Sequence, residues 1–220
     1  MIYAYGICEP ALTAPTLRRR GLGGARLRAL ECGGLAAIYS RHRSLRPRPI
    51  PYFVLAHERV VEAIMARGAV LPLRFGMQLE REEQLAATLA ARHDELLRSI
   101  ERVRGKAELG VRMIPKRPDL DRRADERSGR GYLLAQVRAH RRCQQVTREV
   151  HAELDAISED SCIRQPRTPP AILVSSYLVN LERVAEFVLR ADQLARRQAG
   201  MEILVTGPWP PYSFATEEQR

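Results

Sequence analysis

Histidine and cysteine are the residues with which this sequence could bind a metal or transfer a proton, and two short segments bring such residues together. His57 precedes Glu58, which begins the His-Glu pattern of zinc-protease helices, but Val61 stands where that pattern needs a second histidine. His140 and Cys143 are three residues apart, and the sequence around them supplies no third or fourth ligand. We therefore predict no metal site and no cofactor, with His57 hydrogen-bonded at the edge of a core, His140 solvated and Cys143 in a core.

The remaining patterns that would indicate catalysis are incomplete. The segment from Gly21 to Gly24 is not a phosphate-binding turn, because Arg26 stands where the Gly-x-Gly-x-x-Gly pattern has its last glycine. The sequence contains no Gly-x-Ser-x-Gly nucleophile elbow and no Gly-Lys-Ser/Thr phosphate loop. We therefore predict that the protein is not an enzyme and has no catalytic residues. An enzyme with an unrecognised site stays open as a hypothesis, and it would contain a deep cleft of ionisable groups with shifted pKa values.

Charge and hydropathy narrow the range of partners. The 220 residues include 36 lysines and arginines against 26 aspartates and glutamates, which gives a formal charge of +10. This excess favours acidic partners, nucleic acid or an anionic surface, although arginine enrichment also follows from the base composition of some genomes. No apolar run approaches the roughly 20 residues that cross a bilayer, so we expect a cytosolic protein without membrane contact. Four scattered cysteines predict free, buried thiols: Cys8, Cys32, Cys143 and Cys162.

The first half of the sequence predicts strands mixed with helices. Apolar runs and one helical period predict four elements: strands at Ile2–Ile7, Gly34–Ser40 and Val70–Phe75, and a helix at Tyr52–Arg67. Residues 13–31 predict a mobile basic loop that contains Arg18, Arg19 and Arg20. From about Glu80 to Arg104, apolar residues recur at spacings of three and four and predict one long helix. This helix is expected to connect two domains.

The second half has a more regular order of strand, helix, strand, strand, helix and strand. The predicted elements are Lys106–Ile114, Gly131–Ile157, Ser161–Gln165, Ala171–Val179, Leu181–Ala199 and Met201–Thr206. This β-α-β-β-α-β order is that of the ferredoxin-like fold. We predict an α+β protein of two domains joined by a long helix, the C-terminal domain being ferredoxin-like. The predicted division is an N-terminal domain at 1–79, the connecting helix at 80–104, the C-terminal domain at 105–206 and a tail at 207–220.

The tail combines the single tryptophan of the chain with three prolines. Trp209 stands among these prolines, and Tyr212 and Phe214 follow it. Prolines at this spacing favour an extended backbone that presents aromatic rings at low entropic cost. Two interpretations stay open, because the rings either cover the protein's own core or bind a partner. Tryptophan side chains are usually well buried, which favours the first interpretation.

The tail is also the most specific part of a resemblance that extends along nearly the whole chain. The run Thr206–Phe214 is similar to the C-terminal signature of the gas vesicle F/L protein family. Other segments agree with that family in the same order: Tyr3–Ile7, His57–Val61, Val70–Gly76, Lys106–Val111, Gly131–Leu133 and Ser176–Val179.

The resemblance implies a non-enzymatic accessory protein, a minor component of the gas-filled protein shells that give microbes buoyancy. Members are thought to bind the small, hydrophobic shell-forming subunit, to limit its aggregation during nucleation, and to contact other accessory proteins. The resemblance also implies a location in the gas vesicle, inside the cytoplasm, and two α+β domains of which the second is ferredoxin-like. We expect a partner-binding surface that includes Trp209, Tyr212 and Phe214. A second candidate surface, for acidic partners, consists of Arg18, Arg19 and Arg20.

The alternative function is a basic RNA-binding module, because ferredoxin-like domains can bind RNA through aromatic side chains on a central strand. The matching strand, Ile172–Val179, lacks the basic-glycine-aromatic signature, and aromatic residues make up 5% of the chain. The sequence therefore disfavours nucleic acid as the partner. Contact between the arginine-rich loop and a phosphate backbone stays open, and it would depend strongly on salt.

Overall fold

The computed structural model describes residues 1–44, 47–116, 129–164, 171–198 and 200–215. Within the helix at 129–155, side chains are described at 137–138 and from 141 onwards. The chain forms two compact units: unit 1 is Met1–Glu108 with the chain from Trp209 onwards, and unit 2 is Leu109–Pro208. The segment 80–104, predicted to connect two domains, therefore belongs to unit 1, as does the described part of the tail from Trp209.

Unit 1 contains a five-stranded antiparallel sheet. Its strands are β1 (Ile2–Cys8), β2 (Leu27–Cys32), β3 (Leu35–Arg41), β4 (Val70–Pro72) and β5 (Gln78–Leu79). The order is β2-β3-β1-β4, and β5 also pairs with β1. Because β1 is central, all seven of its residues are buried, including Tyr3 and Tyr5. The register along β3 shifts between Ala4 and Gly6, which marks a local bulge.

Strand β2 corrects the prediction of a loop over residues 13–31. Its six residues pair with β3, from Leu27 opposite Ser40 to Cys32 opposite Leu35. Gly33 and Gly34 connect the strands at φ of 58° and 85°, a left-handed backbone that glycine adopts without strain. This Gly-Gly pair was the available signal for a hairpin.

The connection before β2 is held in the core, contrary to the predicted mobile loop. Leu22 is fully buried, and its backbone N–H donates a hydrogen bond to the Tyr5 hydroxyl at 2.8 Å. Gly21 lies against the same ring, and a Cβ at that position would be 2.1 Å from the Tyr5 oxygen. Residues 21 and 22 therefore fix the path of the chain, while Arg18, Arg19 and Arg20 stay exposed.

Four helices accompany this sheet in the described part of unit 1. They are α1 (Thr13–Thr16), α2 (Pro51–Met65), α3 (Glu82–Ala91) and α4 (His93–Val103). The one long helix predicted at 80–104 is wrong, because α3 ends at Ala91 and α4 begins at His93. Arg92 between them has a φ of −112° and a ψ of 19°. The cause lies in packing, because α3 contacts β2 whereas α4 contacts β4.

Unit 2 has the predicted order of elements. They are β6 (Lys106–Pro115), α5 (Gly129–Asp155), β7 (Asp160–Arg164), β8 (Leu173–Asn180), α6 (Val184–Arg197) and β9 (Met201–Trp209). The sheet order is β7-β8-β6-β9, and β7 pairs antiparallel with β8. Its core is mostly aliphatic, with side chains from β6, α5, β8 and α6 around the buried Phe187. None of the helices in the described ranges is long and apolar enough to span a bilayer.

Candidate partner-binding site

The aromatic side chains of the tail differ in exposure: one is exposed to solvent, and the others hold the tail in place. Trp209 ends β9 with 46% of its surface exposed, whereas Phe214, in a 3-10 turn at Tyr212–Phe214, is 3% exposed. The guanidinium carbon of Arg102 lies 5.9 Å from the centre of the Phe214 ring, within the range of a cation–π contact. The tail is thus anchored five residues beyond an exposed tryptophan.

A buried carboxylate makes the shortest described bonds to this tail. Glu108 of β6 accepts a hydrogen bond from the Ser213 backbone N–H at Oε2 and another from the Ser213 hydroxyl at Oε1, both at 2.7 Å. Hydrogen bonds to an ionised acceptor are about twice as strong as neutral ones, and both oxygens of this carboxylate are used. The arrangement offsets the cost of burying Glu108 and fixes the backbone at Ser213.

Helix α2 provides the second anchor. The Tyr212 hydroxyl donates to Oε1 of Glu58 at 2.9 Å. Burial, followed by the charge of Glu58, raises the pKa of Tyr212 far above its ordinary value, so the phenol stays a proton donor. Burial also raises the pKa of Glu58, while the bond from Tyr212 acts in the opposite direction.

The neighbouring residue of α2 points into the core instead. His57 Nε2 lies 3.0 Å from the carbonyl oxygen of Leu73, which can only accept, so Nε2 carries the proton and Nδ1 accepts from the Tyr3 hydroxyl at 3.0 Å. The backbone N–H of Gly76 donates to that same hydroxyl at 3.0 Å. Burial lowers the pKa of His57 to about 4 and raises that of Tyr3 to about 12. The predicted hydrogen-bonded histidine is confirmed, and it is fully buried with both ring nitrogens occupied.

The metal and cysteine predictions have separate outcomes. No group of three or more potential ligands is found among the described residues. The four cysteines are not in disulfides, but the predicted burial holds for Cys8 alone, because Cys32, Cys143 and Cys162 are half-buried. The His140 side chain lies outside the described residues.

Comparison with known proteins identifies the family of this chain. A model of the family described as gas vesicle synthesis protein GvpL/GvpF matches residues 1–216. The chain belongs to this family. The resemblance inferred from the tail and the six other segments is thereby confirmed. The GvpL/GvpF family is a family of gas vesicle proteins and is not known as an enzyme family.

Individual members of the GvpL/GvpF family are similar over almost their full length. Gas vesicle protein L of a Streptomyces species is 27% identical, over 97% of this chain and 92% of the relative. Gas vesicle protein F2 of Halobacterium salinarum is 28% identical, over 97% of this chain and 91% of the relative.

Solved structures extend the comparison to the fold. The crystal structure of gas vesicle protein GvpF from Anabaena has a TM-score of 0.83 at 20% identity and covers 98% of this chain and 95% of that one. That of GvpF from Microcystis aeruginosa has a TM-score of 0.80 at 20% identity and covers 98% of both chains. The mixed α+β fold predicted from the sequence is therefore shared with these two proteins.

Two residues of the tail site, Glu58 and Glu108, were missed by sequence reasoning. Glu108 had a detectable signal, because it stands between Ala107 and Leu109 in a strand that is otherwise apolar at this point. An acidic side chain at a buried strand position needs a donor, and its donor is Ser213. Glu58 had no such signal, since it lies on a helix where a glutamate is ordinarily exposed.

Proposed function

We propose that this protein is an accessory component of gas vesicles that binds the hydrophobic shell-forming subunit and assists nucleation and assembly by limiting its aggregation. Membership of the GvpL/GvpF family supports the gas vesicle part of this proposal. Binding of the shell subunit, and contact with other accessory proteins, are what the resemblance to this family implies, and the tail is the surface that we assign to the contact. The protein acts by contact with other polypeptides and makes or breaks no covalent bond.

The observation that carries the proposal is the exposure of Trp209 beside a firmly anchored segment. A tryptophan that is 46% exposed has apolar surface available to a partner, and tryptophan is enriched among residues that dominate binding energy. The hydrogen bonds of Tyr212 and Ser213 hold the segment that follows Trp209 in one arrangement, so little conformational entropy is lost when a partner binds.

The three aromatic residues of the tail then have different roles. Trp209 makes the contact with the partner, whereas Tyr212 and Phe214 position the segment by binding Glu58 and filling the core of unit 1. This division refines the expectation that all three contact the partner, because a side chain that is 3% exposed, such as Phe214, has almost no surface to offer.

We also propose that unit 2 is a ferredoxin-like domain. The spatial order β7-β8-β6-β9 places the first strand of the unit in the interior of the sheet and the second and third strands beside each other. This is the arrangement expected when a β-α-β-β-α-β chain brings both helices to one face. The proposed domain corresponds to the compact unit at 109–208.

Co-expression with the shell-forming subunit tests the function. The wild-type protein should raise the soluble yield of that subunit and co-purify with it, and Trp209→Ala should reduce the co-purified amount by about tenfold or more. Tyr52→Ala is the matched control, because Tyr52 is a 64% exposed aromatic residue elsewhere on unit 1.

Far-UV circular dichroism and the melting temperature should be unchanged in both variants, since neither side chain is part of the buried core. Equal retention of the shell subunit by the two variants would exclude Trp209 as the contact. Unfolding of Trp209→Ala would show that the tryptophan is a structural part of unit 1, and the binding assignment would fail.

A further inference from the structure

The described part of unit 1 leaves an unpaired sheet edge beside a concentration of positive charge. Strand β2 is the first strand in the order β2-β3-β1-β4, and its residues Leu27–Cys32 pair with β3. Backbone N–H and C=O groups on an open strand edge can form hydrogen bonds with an added strand. Proteins usually cover such an edge or shorten the strand, and β2 is six residues long.

The charge comes from five exposed arginines, which we call the arginine surface: Arg18, Arg19, Arg20, Arg26 and Arg28. Arg20 stands directly opposite Arg26 in an isolated antiparallel bridge just before β2. Like charges at directly opposed positions destabilise a strand pair, so this arrangement gains stability when an anion lies nearby.

The acidic residues near this surface do not neutralise it. Glu82 forms an ion pair with Arg41 of β3, and Arg28 adds a weaker electrostatic attraction that contributes to the low pKa of that carboxyl. Among the described residues, no ion pair joins Arg18, Arg19, Arg20 or Arg26 to an acidic side chain. The arginine surface therefore keeps most of its charge available for an external partner.

We propose that the edge of β2 binds an extended, acidic segment of a partner protein by strand addition. The backbone of the segment pairs with Leu27–Cys32, and its aspartates and glutamates face the arginine surface. Main-chain bonds provide much of the affinity in this mode, while the side chains select an acidic sequence. An extended peptide fits better than RNA, because RNA lacks the alternating amide donors and acceptors that a strand edge requires.

This inference shares with the proposed function only the premise that the protein binds other polypeptides. It concerns a different surface from Trp209, so the two can fail separately. The probe is accordingly a synthetic peptide and not the shell subunit.

A ten-residue peptide in which glutamate alternates with valine tests strand addition. It should bind the full chain in calorimetry and protect from hydrogen exchange those amides of Leu27–Cys32 that point away from β3. Two matched peptides serve as controls: one with lysine in place of glutamate, and one with the same charge but a central proline, which removes a donor from the added strand. Both should bind at least about tenfold more weakly.

Substitution of the arginine surface provides the second arm. The triple variant Arg18→Gln, Arg20→Gln and Arg26→Gln should weaken binding of the acidic peptide by about tenfold or more and reduce its salt dependence. The matched control removes three exposed arginines of α5, Arg138→Gln, Arg141→Gln and Arg142→Gln, and should leave the affinity within about twofold.

Three results would overturn the inference. The proline peptide could bind as tightly as its parent without protecting β2, which would indicate ionic contact alone. A single-stranded RNA could bind the arginine surface and displace the peptide at equal concentration, which would assign the surface to nucleic acid. The acidic peptide could also fail to bind while the shell subunit still binds through Trp209, and the proposed function would then stand without this surface.

Discussion

The two units of this protein stabilise their sheets by different means. In unit 1 the central strand buries Tyr3 and Tyr5, which pack around His57 and form hydrogen bonds to His57 and Ser40. In unit 2 the corresponding space contains mainly leucine, valine and methionine around Phe187. Unit 2 also has a tyrosine-histidine pair, Tyr177 with His151 at 2.9 Å, but there the histidine is only half-buried.

This difference determines what each unit is sensitive to. A hydrogen-bonded polar core depends on the position and protonation of single atoms, because an unpaired buried polar group costs free energy. An aliphatic core depends on volume and tolerates changes that conserve it. Unit 1 is also the unit in which helix α2 and Glu108 hold the tail, so its directional bonds fix the segment beside Trp209.

The largest effect should come from volume loss in unit 2. Phe187→Ala removes a fully buried ring and should lower the free energy of unfolding by about 3–5 kcal/mol. Urea denaturation with native-state hydrogen exchange assigns the loss to unit 2. The control is Val188→Ala at the next, 44% exposed position, which should change stability by less than about 1 kcal/mol. Comparable losses in the two variants would mean that Phe187 is not the centre of that core.

Acid should destabilise unit 1 before unit 2. Unfolded histidine takes up a proton near pH 6.5, whereas folded His57 resists protonation until about pH 4. The contribution of neutral His57 to stability is therefore complete above pH 6.5 and is lost as the pH falls from 6.5 to 4. At pH 4 the free energy of unfolding should be lower by roughly 3 kcal/mol. The low pKa of Glu82, about 2, affects stability mainly at lower pH, between about 4.5 and 2.

Two measurements check this pH dependence. Hydrogen exchange should show lower protection factors at pH 4.5 than at pH 7 in β1 and α2, and a smaller difference between the two pH values in β8 and α6. In an NMR titration the His57 ring should not titrate above pH 5. His93 is an internal control, because its bonds to Gly33 and Asp94 raise its pKa above the ordinary value. A His57 ring that titrates together with His93 would contradict the buried network.

A smaller effect on stability is expected from removal of a single oxygen atom in unit 1. Tyr3→Phe leaves the ring in place but removes the donor to His57 Nδ1 and the acceptor for the Gly76 N–H, which should cost about 1–3 kcal/mol. Thermal unfolding measures the loss. Tyr52→Phe removes the same oxygen from a 64% exposed side chain and should be neutral. Equal melting temperatures for all three proteins would show that the hydroxyl of Tyr3 is dispensable.

The smallest effect should be confined to the tail. Ser213→Ala removes one of the two bonds to Glu108 and keeps the backbone bond, so the tail should loosen by about 1 kcal/mol. Since Trp209 is the single tryptophan, its fluorescence and acrylamide quenching report on the tail without labelling. Quenching should increase in Ser213→Ala and stay at the wild-type value in Thr206→Ser, a change three residues before Trp209 that keeps the hydroxyl bond to the Gly110 carbonyl. Unchanged quenching in both variants would argue against the anchor.

Regular patterns explain where sequence reasoning succeeded. In unit 2, each change between apolar runs and helical spacing coincides with an observed element, so the β-α-β-β-α-β order was predictable. Strand β2 was not, because Leu27–Cys32 includes Arg28 and Glu31 and follows an arginine-rich stretch. The break at Arg92 was missed because isolated polar residues do not stop a helix, whereas packing of α3 and α4 can.

The sequence by itself determined the family, the order of elements in unit 2 and the aromatic character of the tail, because these depend on residues close together in the chain. Only the tertiary structure decided that Phe214 is buried and Trp209 exposed, and that Glu58 and Glu108 hold the tail. The physical reason is separation along the chain: Tyr212 and Glu58 are 154 residues apart, and Ser213 and Glu108 are 105 apart. No local period or spacing encodes such a pair, since folding alone brings the donor and the acceptor together.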